Sequence, residues 1–127
     1  MATRDEIFYF ISQNFEFKQV SDMLLKVQLF KQDGRAQEVF IGGNSGEGSQ
    51  IFMYSHFAHS SDVKAEKALR ITSEQSFYGM QLINGFFVLC HSVNSQYMEA
   101  SDIRSEMGIL AIQADEVEKS ILGSDDY

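Results

Sequence analysis

Residues 77–93 read FYGMQLINGFFVLCHSV, and this stretch constrains the fold more than any other. It is an apolar segment that must turn back on itself at Asn84-Gly85. Both residues tolerate positive φ, which a two-residue type I′ turn requires. Tyr78 to Ile83 therefore forms the incoming strand and Phe86 to Val93 the outgoing one. The outgoing strand is apolar on both faces. Phe86, Val88 and Cys90 point one way; Phe87, Leu89 and Val93 point the other, with His91 among them. Such a strand belongs in the middle of a sheet with its faces covered, not at an edge.

The flanking chain supplies the rest of an α+β pattern. Thr3 is an N-cap with Glu6 three residues on, the spacing of a capping box. Ile7, Phe8, Phe10 and Ile11 give that helix an apolar stripe, and it should fade at Gln13-Asn14. Phe15 to Gln19 alternates enough for a short extended piece. Met23 to Phe30 is a strand with Met23, Leu25, Val27 and Leu29 on one face. Asp33-Gly34 marks a second hairpin, and Gln37 to Ile41 returns from it. Gln50 to Tyr54 is a third strand, with Ile51 and Met53 on one side and Phe52 and Tyr54 on the other. His56 to Ser61 reads as a loop. Ser60 or Ser61 then caps a short helix from Asp62 to about Ile71. Ser101 caps the last helix, Asp102 to about Leu122. Its apolar residues Ile103, Met107, Leu110, Ala114, Val117 and Ile121 are spaced 4, 3, 4, 3, 4. Ala111 and Ile112 widen this stripe, which favours packing across a sheet over a narrow coiled-coil seam. Gly123 ends the helix, and Ser124 to Tyr127 is an acidic tail.

The pattern predicts a single domain over residues 1–127. It holds one twisted antiparallel sheet of about five strands with helices packed on it, in the order α-β-β-β-α-β-β-α. No repeat or shift in composition divides the chain, and proline is absent. The charge limits what such a domain binds. Net charge is −8, and the nearest approach to a basic stripe, Lys64, Lys67 and Arg70, is broken by Glu66 and reads as a solvated helix face. A nucleic-acid partner is not expected. No apolar run approaches the roughly 18 residues of a membrane-spanning helix, so no membrane partner is expected either. The first ten residues lack a basic region and cleavage site, which argues against a secretory signal. The lone Cys90 excludes an internal disulfide framework and fits a cytoplasmic protein.

Chemically active constellations are sparse. Gly42 to Gly48 invites a phosphate-loop reading, but it lacks the Gly-Lys-Ser/Thr ending, contains Glu47 and leads into a strand. A hairpin loop is the better reading. His56 and His59 are three apart and His91 is distant. A catalytic zinc needs three converging protein ligands, so a metal or small-ligand site on the His56-His59 loop is the alternative rather than the main reading. Cys90 in the middle of an apolar strand reads as a small buried hydrophobe. No catalytic residue and no cofactor is predicted.

The second half of the chain carries a resemblance. The short helix ends in Ala68-Leu69-Arg70-Ile71, and a polar connector leads to Phe77-Tyr78-Gly79-Met80. The tight hairpin follows, then a polar loop into the Asp102–Leu122 helix. In element order and in this half's residue pattern, the chain resembles the YbjN-like family within the type III secretion chaperone-like fold. The resemblance implies a twisted antiparallel sheet with helices on it, a homodimer, and a non-enzymatic role in holding segments of other proteins. It supplies no catalytic residues, and the Gly42 to Gly48 loop has no counterpart in it. The functional expectation is thus a protein-binding module, chaperone-like or regulatory, with an unknown protein partner. Phe52, Tyr54 and Phe57 are the candidate contacts, because the opposite strand face holds the expected core. The competing placement puts all three in the core.

Overall fold

The computed structural model describes residues 2–32, 35–43 and 50–123. The Asp33-Gly34 turn, the Asn44 to Gly48 part of the glycine-rich loop and the Ser124 to Tyr127 tail lie outside the described residues. The chain builds α1 (Arg4–Asn14), β1 (Glu16–Ser21), β2 (Leu24–Gln32), β3 (Arg35–Gly43), β4 (Gln50–His59), α2 (Ala65–Gln75), β5 (Gly79–Ile83), β6 (Phe86–Asn94) and α3 (Ile103–Leu122). Two short 3₁₀ turns, Ser95–Tyr97 and Ala100–Asp102, join β6 to α3.

The strands form one antiparallel six-stranded sheet in the order β1-β2-β3-β4-β6-β5. The fold class is the expected one, with one strand more than the sequence pattern suggested. The extra strand is β1, the short alternating piece after α1. It pairs with β2 across Phe17↔Val27 and Gln19↔Leu25 and stays exposed along its length as an edge. Its weak hydrophobic signal has a physical cause: an edge strand gains from ladder hydrogen bonds while burying little side chain.

Local signals fixed most of the elements. Thr3 caps α1, its Oγ1 accepting from the Glu6 N–H at 3.1 Å while Glu6 accepts from the Thr3 N–H at 3.0 Å. Asn84 and Gly85 both take positive φ, 51° and 85°, and hold the β5–β6 hairpin. Ile103, Met107, Leu110, Ala114, Val117 and Ile121 of α3 are all buried. They pack chiefly on β4, β3 and β6, and α2 packs beside α3. The core is completed by Leu25, Val27, Val39, Ile41, Ile51, Met53, Phe57 and Leu89 from the sheet and by Ile7 and Ile11 of α1. All of these strand residues share one sheet face by the two-residue period. Among the described residues the three helices therefore cover one face, and no helix lies on the other.

Three expectations are corrected. β4 does not stop at Tyr54. It runs on to His59, with a bulge between His56 and Ala58, so the supposed His56 to Ser61 loop is mostly strand. α2 begins at Ala65 rather than Asp62 and continues to Gln75. Ser61 cannot cap it, because its hydroxyl is 2.7 Å from His59 Nδ1 and its N–H donates to the same nitrogen at 3.1 Å. α3 likewise starts after Asp102, not at a Ser101 cap; a reciprocal Glu99–Asp102 pair caps the 3₁₀ turn Ala100–Asp102 that leads into it, and Ile112 does not join its core stripe. Ile112 is 53% exposed, on the side of the helix away from the sheet.

Candidate functional site

The helix-free face carries the even-numbered residues of β3 and β6 and those of β4 as far as His56, with His59 taking their place past the bulge, and the register brings their rings together. Phe40 lies opposite Tyr54, His56 opposite Val88 and His59 opposite Phe86. Phe40 stacks on Tyr54 with centroids 4.9 Å apart and planes at 8°. The same ring stacks on His56 at 5.1 Å. His56 stacks on Phe86 at 4.4 Å and 8°, and His59 meets the edge of Phe86 at 4.9 Å. The result is a continuous aromatic row across three strands. Offset stacks of this kind add to area burial and hold the rings in place.

Phe52 extends the row. It pairs with Gly42 across the β3–β4 ladder and is 42% exposed. A Cβ built on Gly42 would stand 2.5 Å from Phe52 Cζ, so the ring occupies the space that any side chain at 42 would need. Gly42 is thus a strand residue beneath the Phe52 ring and Gly43 one packed against Ile51 and Arg4, not the start of a phosphate loop. Val88 shows how closely the rings pack. It is 0% exposed, although no helix lies over it. The outgoing strand of the hairpin is covered as its sequence demanded, by α3 on one side and by its own aromatic neighbours on the other.

Of the three candidate contacts, two meet on this face. Phe52 is open, and Tyr54 is half-buried within the row. Phe57 does not join them. It is 1% exposed on the helix side and stacks on Phe87 at 6.3 Å. The reason is the length of β4: alternation from Ile51 and Met53 continues through Ser55 to Phe57, so an odd position in a longer strand points inward. Sequence reasoning missed Phe40 and Phe86. Their place on this face follows from the register, Phe40 opposite Tyr54 and Phe86 opposite His59, which pairs residues far apart in sequence.

Burial sets the chemistry of the face. Desolvation holds the His56 pKa below the ordinary histidine value; Glu38 pulls it up and Lys26 pushes it down. Lys26 and Glu38 pair at 3.6 Å on the neighbouring strands. The Tyr54 hydroxyl and the Cys90 thiol are both pushed up by burial. Cys90 Sγ donates to the Gly79 carbonyl at 3.4 Å, so it is a protonated, packed thiol rather than a nucleophile. His91 sits on the covered face, its Nε2 3.0 Å from Glu106 of α3 and its ring edge-on to Tyr78 at 4.9 Å. The three histidines therefore do not converge. Among the described residues no group of three or more His, Cys, Asp or Glu gathers where an ion could be held.

A second exposed apolar group lies at the far edge of the sheet, with Phe77 just before β5, Leu82 within it and Leu69 on α2. No helix of the described residues is long and apolar enough to cross a membrane.

No family model matches the chain, and no curated protein matches it in sequence. In three dimensions it is similar to a chain in the structure of the HopA1–SchA chaperone–effector complex. The TM-score is 0.58, over 94% of this chain and 99% of that one, at 10% sequence identity. At that identity the likeness is one of fold: an α+β domain with one antiparallel sheet and its helices on one face, shared with a component of a chaperone–effector complex.

Proposed function

We propose that this protein is a non-enzymatic binding module, chaperone-like or regulatory, that holds a segment of another polypeptide against the helix-free face of its sheet. The observation that carries the reading is the aromatic row Phe40–Tyr54–His56–Phe86 with Phe52 beside it, preorganised by stacking and left without a helix to cover it. Stacked rings present apolar area at little entropic cost, and aromatic residues are efficient interface anchors. The fold likeness to a chaperone–effector component supports the same reading. The partner's chemistry follows from the face: apolar or aromatic side chains for the row, with polar groups for the Lys26–Glu38 pair at its border. We read the chain as one domain that works as a homodimer and as kin of the YbjN-like proteins.

The test is capture of partners by the tagged protein, identification by mass spectrometry, and re-measurement of each with purified components. Tyr54→Ala and Phe52→Ala should each weaken the complex by roughly tenfold or more. A captured partner that binds both variants as tightly as the unaltered protein would place the contact elsewhere.

A further inference from the structure

A groove of about 450 Å³ runs between one flank of α3 and the sheet. Arg104, Gly108, Ala111 and Asp115 line it from the helix. Their spacing of 4, 3, 4 makes them one stripe, turned to the side of the buried one. Leu29 of β2 lines the opposite wall, and the half-exposed Ile112 stands at the rim. Gly108 keeps the groove open. Glycine costs a helix interior more than any residue but proline. No close approach demands it here, because a Cβ built on Gly108 meets nothing within 4 Å. Ala111, next along the stripe, is nearly as short. The space thus comes from side chains that the helix lacks at these two positions.

Positive charge is uncompensated at one end. There the Arg104 guanidinium lies 4.9 Å from the Phe15 ring centroid and 5.6 Å from that of Phe10, and Nη2 donates to Asn14 Oδ1 at 3.4 Å. The rings hold it in place, yet among the described residues no carboxylate pairs with it. Asn14 uses one of the five N–H donors, which leaves room for a carboxylate to accept two more. The other end lies about 16 Å farther along the helix axis. Asp115 and Lys119 close on each other there at 3.3 Å, and Glu116 adds a negative charge. An anion is therefore drawn to the Arg104 end and turned away from the far one. Between them the walls are mostly hydrocarbon. A polypeptide would bring backbone polar groups that such walls leave unbonded, whereas an alkyl chain brings none. Volume, apolar lining and a single fixed charge are the makeup of a small-molecule site. We infer that the groove binds an amphipathic monocarboxylate, with the carboxylate on Arg104 and an alkyl chain lying along Gly108 and Ala111. A medium-chain fatty acid of about ten carbons covers the roughly 12 Å from Arg104 to Ile112.

The groove lies on the helix side of the sheet and does not rest on the partner reading of the aromatic face. Titration of the full chain with decanoate, followed by ¹H–¹⁵N NMR, tests it. Amide shifts should concentrate at residues 104–115 and at Phe15 and Leu29, with a Kd of about 100 μM. Decanol, the same chain without the charge, should bind the same residues roughly tenfold more weakly. Arg104→Gln should bring decanoate down to the level of decanol and leave decanol unchanged. Unchanged decanol binding also shows that the groove survives the loss of the ring contacts. Gly108→Leu fills the groove from a position where nothing is in the way, so it should abolish binding of both probes. It puts a better helix former in the helix, so the variant should melt no lower than the unaltered chain. That variant and the comparison of probes on the unaltered chain keep the test decisive if Arg104→Gln fails to fold. No shifts at these residues up to about 2 mM decanoate would overturn the inference. So would shifts gathered on Phe40, Tyr54 and Phe86, binding indifferent to Gly108→Leu, or decanol bound as tightly as decanoate.

Discussion

Replacing Gly42 by alanine tests how the aromatic face is built. The added Cβ would lie 2.5 Å from the Met23 carbonyl oxygen, 2.5 Å from Phe52 Cζ and 2.9 Å from Phe52 Cε2. The two obstacles differ. The Phe52 ring is partly exposed and can swing outward, forfeiting its place beside the row. The Met23 oxygen is backbone and accepts the Gly43 N–H at 3.2 Å, so it can move only by straining the turn into β2. Overpacking of this kind costs about 1–3 kcal/mol. Against it stands a gain of about 0.4–1 kcal/mol from restricting the unfolded chain, where the native backbone suits alanine. For a chain of this length 1 kcal/mol corresponds to about 4 °C in Tm, so thermal unfolding followed by circular dichroism should show a fall of a few to about 10 °C. In a Phe52→Ala background the ring obstacle is gone, and the same substitution should cost less but remain destabilising through Met23. A Tm that is unchanged or raised by Gly42→Ala in the unaltered background would refute the close packing of Phe52 on the strand.

Other expectations follow from single contacts. The His56 pKa is lowered in the folded state, so the folded protein disfavours the proton that the unfolded chain accepts near pH 6.5. The neutral ring's contribution is full above that value and is lost as pH falls through the folded pKa. Denaturant unfolding between pH 7.5 and 5 should show His56→Gln losing less stability on acidification than the unaltered chain; equal losses would contradict the burial of this ring. Ser55 is fully buried, its Oγ donating to the Glu38 carbonyl at 2.6 Å and accepting from Gln37 Nε2 at 2.8 Å. Ser55→Ala takes this donor from the Glu38 carbonyl, while Gln37 Nε2 keeps its bond to the His56 carbonyl at 3.1 Å; the loss should be about 1–3 kcal/mol by urea unfolding, more than a surface serine would show. Thr3→Ala removes the α1 cap and should cost about 1 kcal/mol in the same assay, a loss that Thr3→Ser should largely avoid.

The parts of the fold legible in the sequence were those with a local physical signature. Asn84-Gly85 had to be a tight turn, Thr3 and Glu6 had to start a helix, and the 4-3 spacing from Ile103 to Ile121 had to face a sheet. What was not legible depended on partners distant in sequence. β1 owes its place to a ladder with β2, and its own exposed residues carry almost no pattern. β4 outran its expected end because His56 and His59, polar by type, are stacked on Phe40 and Phe86 from other strands. That same extension carried Phe57 inward and out of the candidate contacts. Ile112 reads as core by residue type, and only the position of the sheet relative to α3 leaves it exposed. Phe52 and Tyr54 lie on the helix-free face because the two-residue period separates them from Ile51 and Met53. Phe40 and Phe86 were missed because each sits in a run that is apolar on both faces, where alternation alone does not say which face is open.

The measurement that bears most directly on the aromatic face is the affinity of a captured polypeptide partner for purified protein, by isothermal titration calorimetry. The variants are Tyr54→Ala, Phe52→Ala and, as a control on the opposite side of the molecule, Ile112→Asp. The account predicts a loss of roughly tenfold or more for each aromatic variant and no more than about twofold for the control at concentrations where the chain is monomeric. Equal affinity for all four proteins, or a loss confined to Ile112→Asp, would contradict the assignment of binding to the helix-free face.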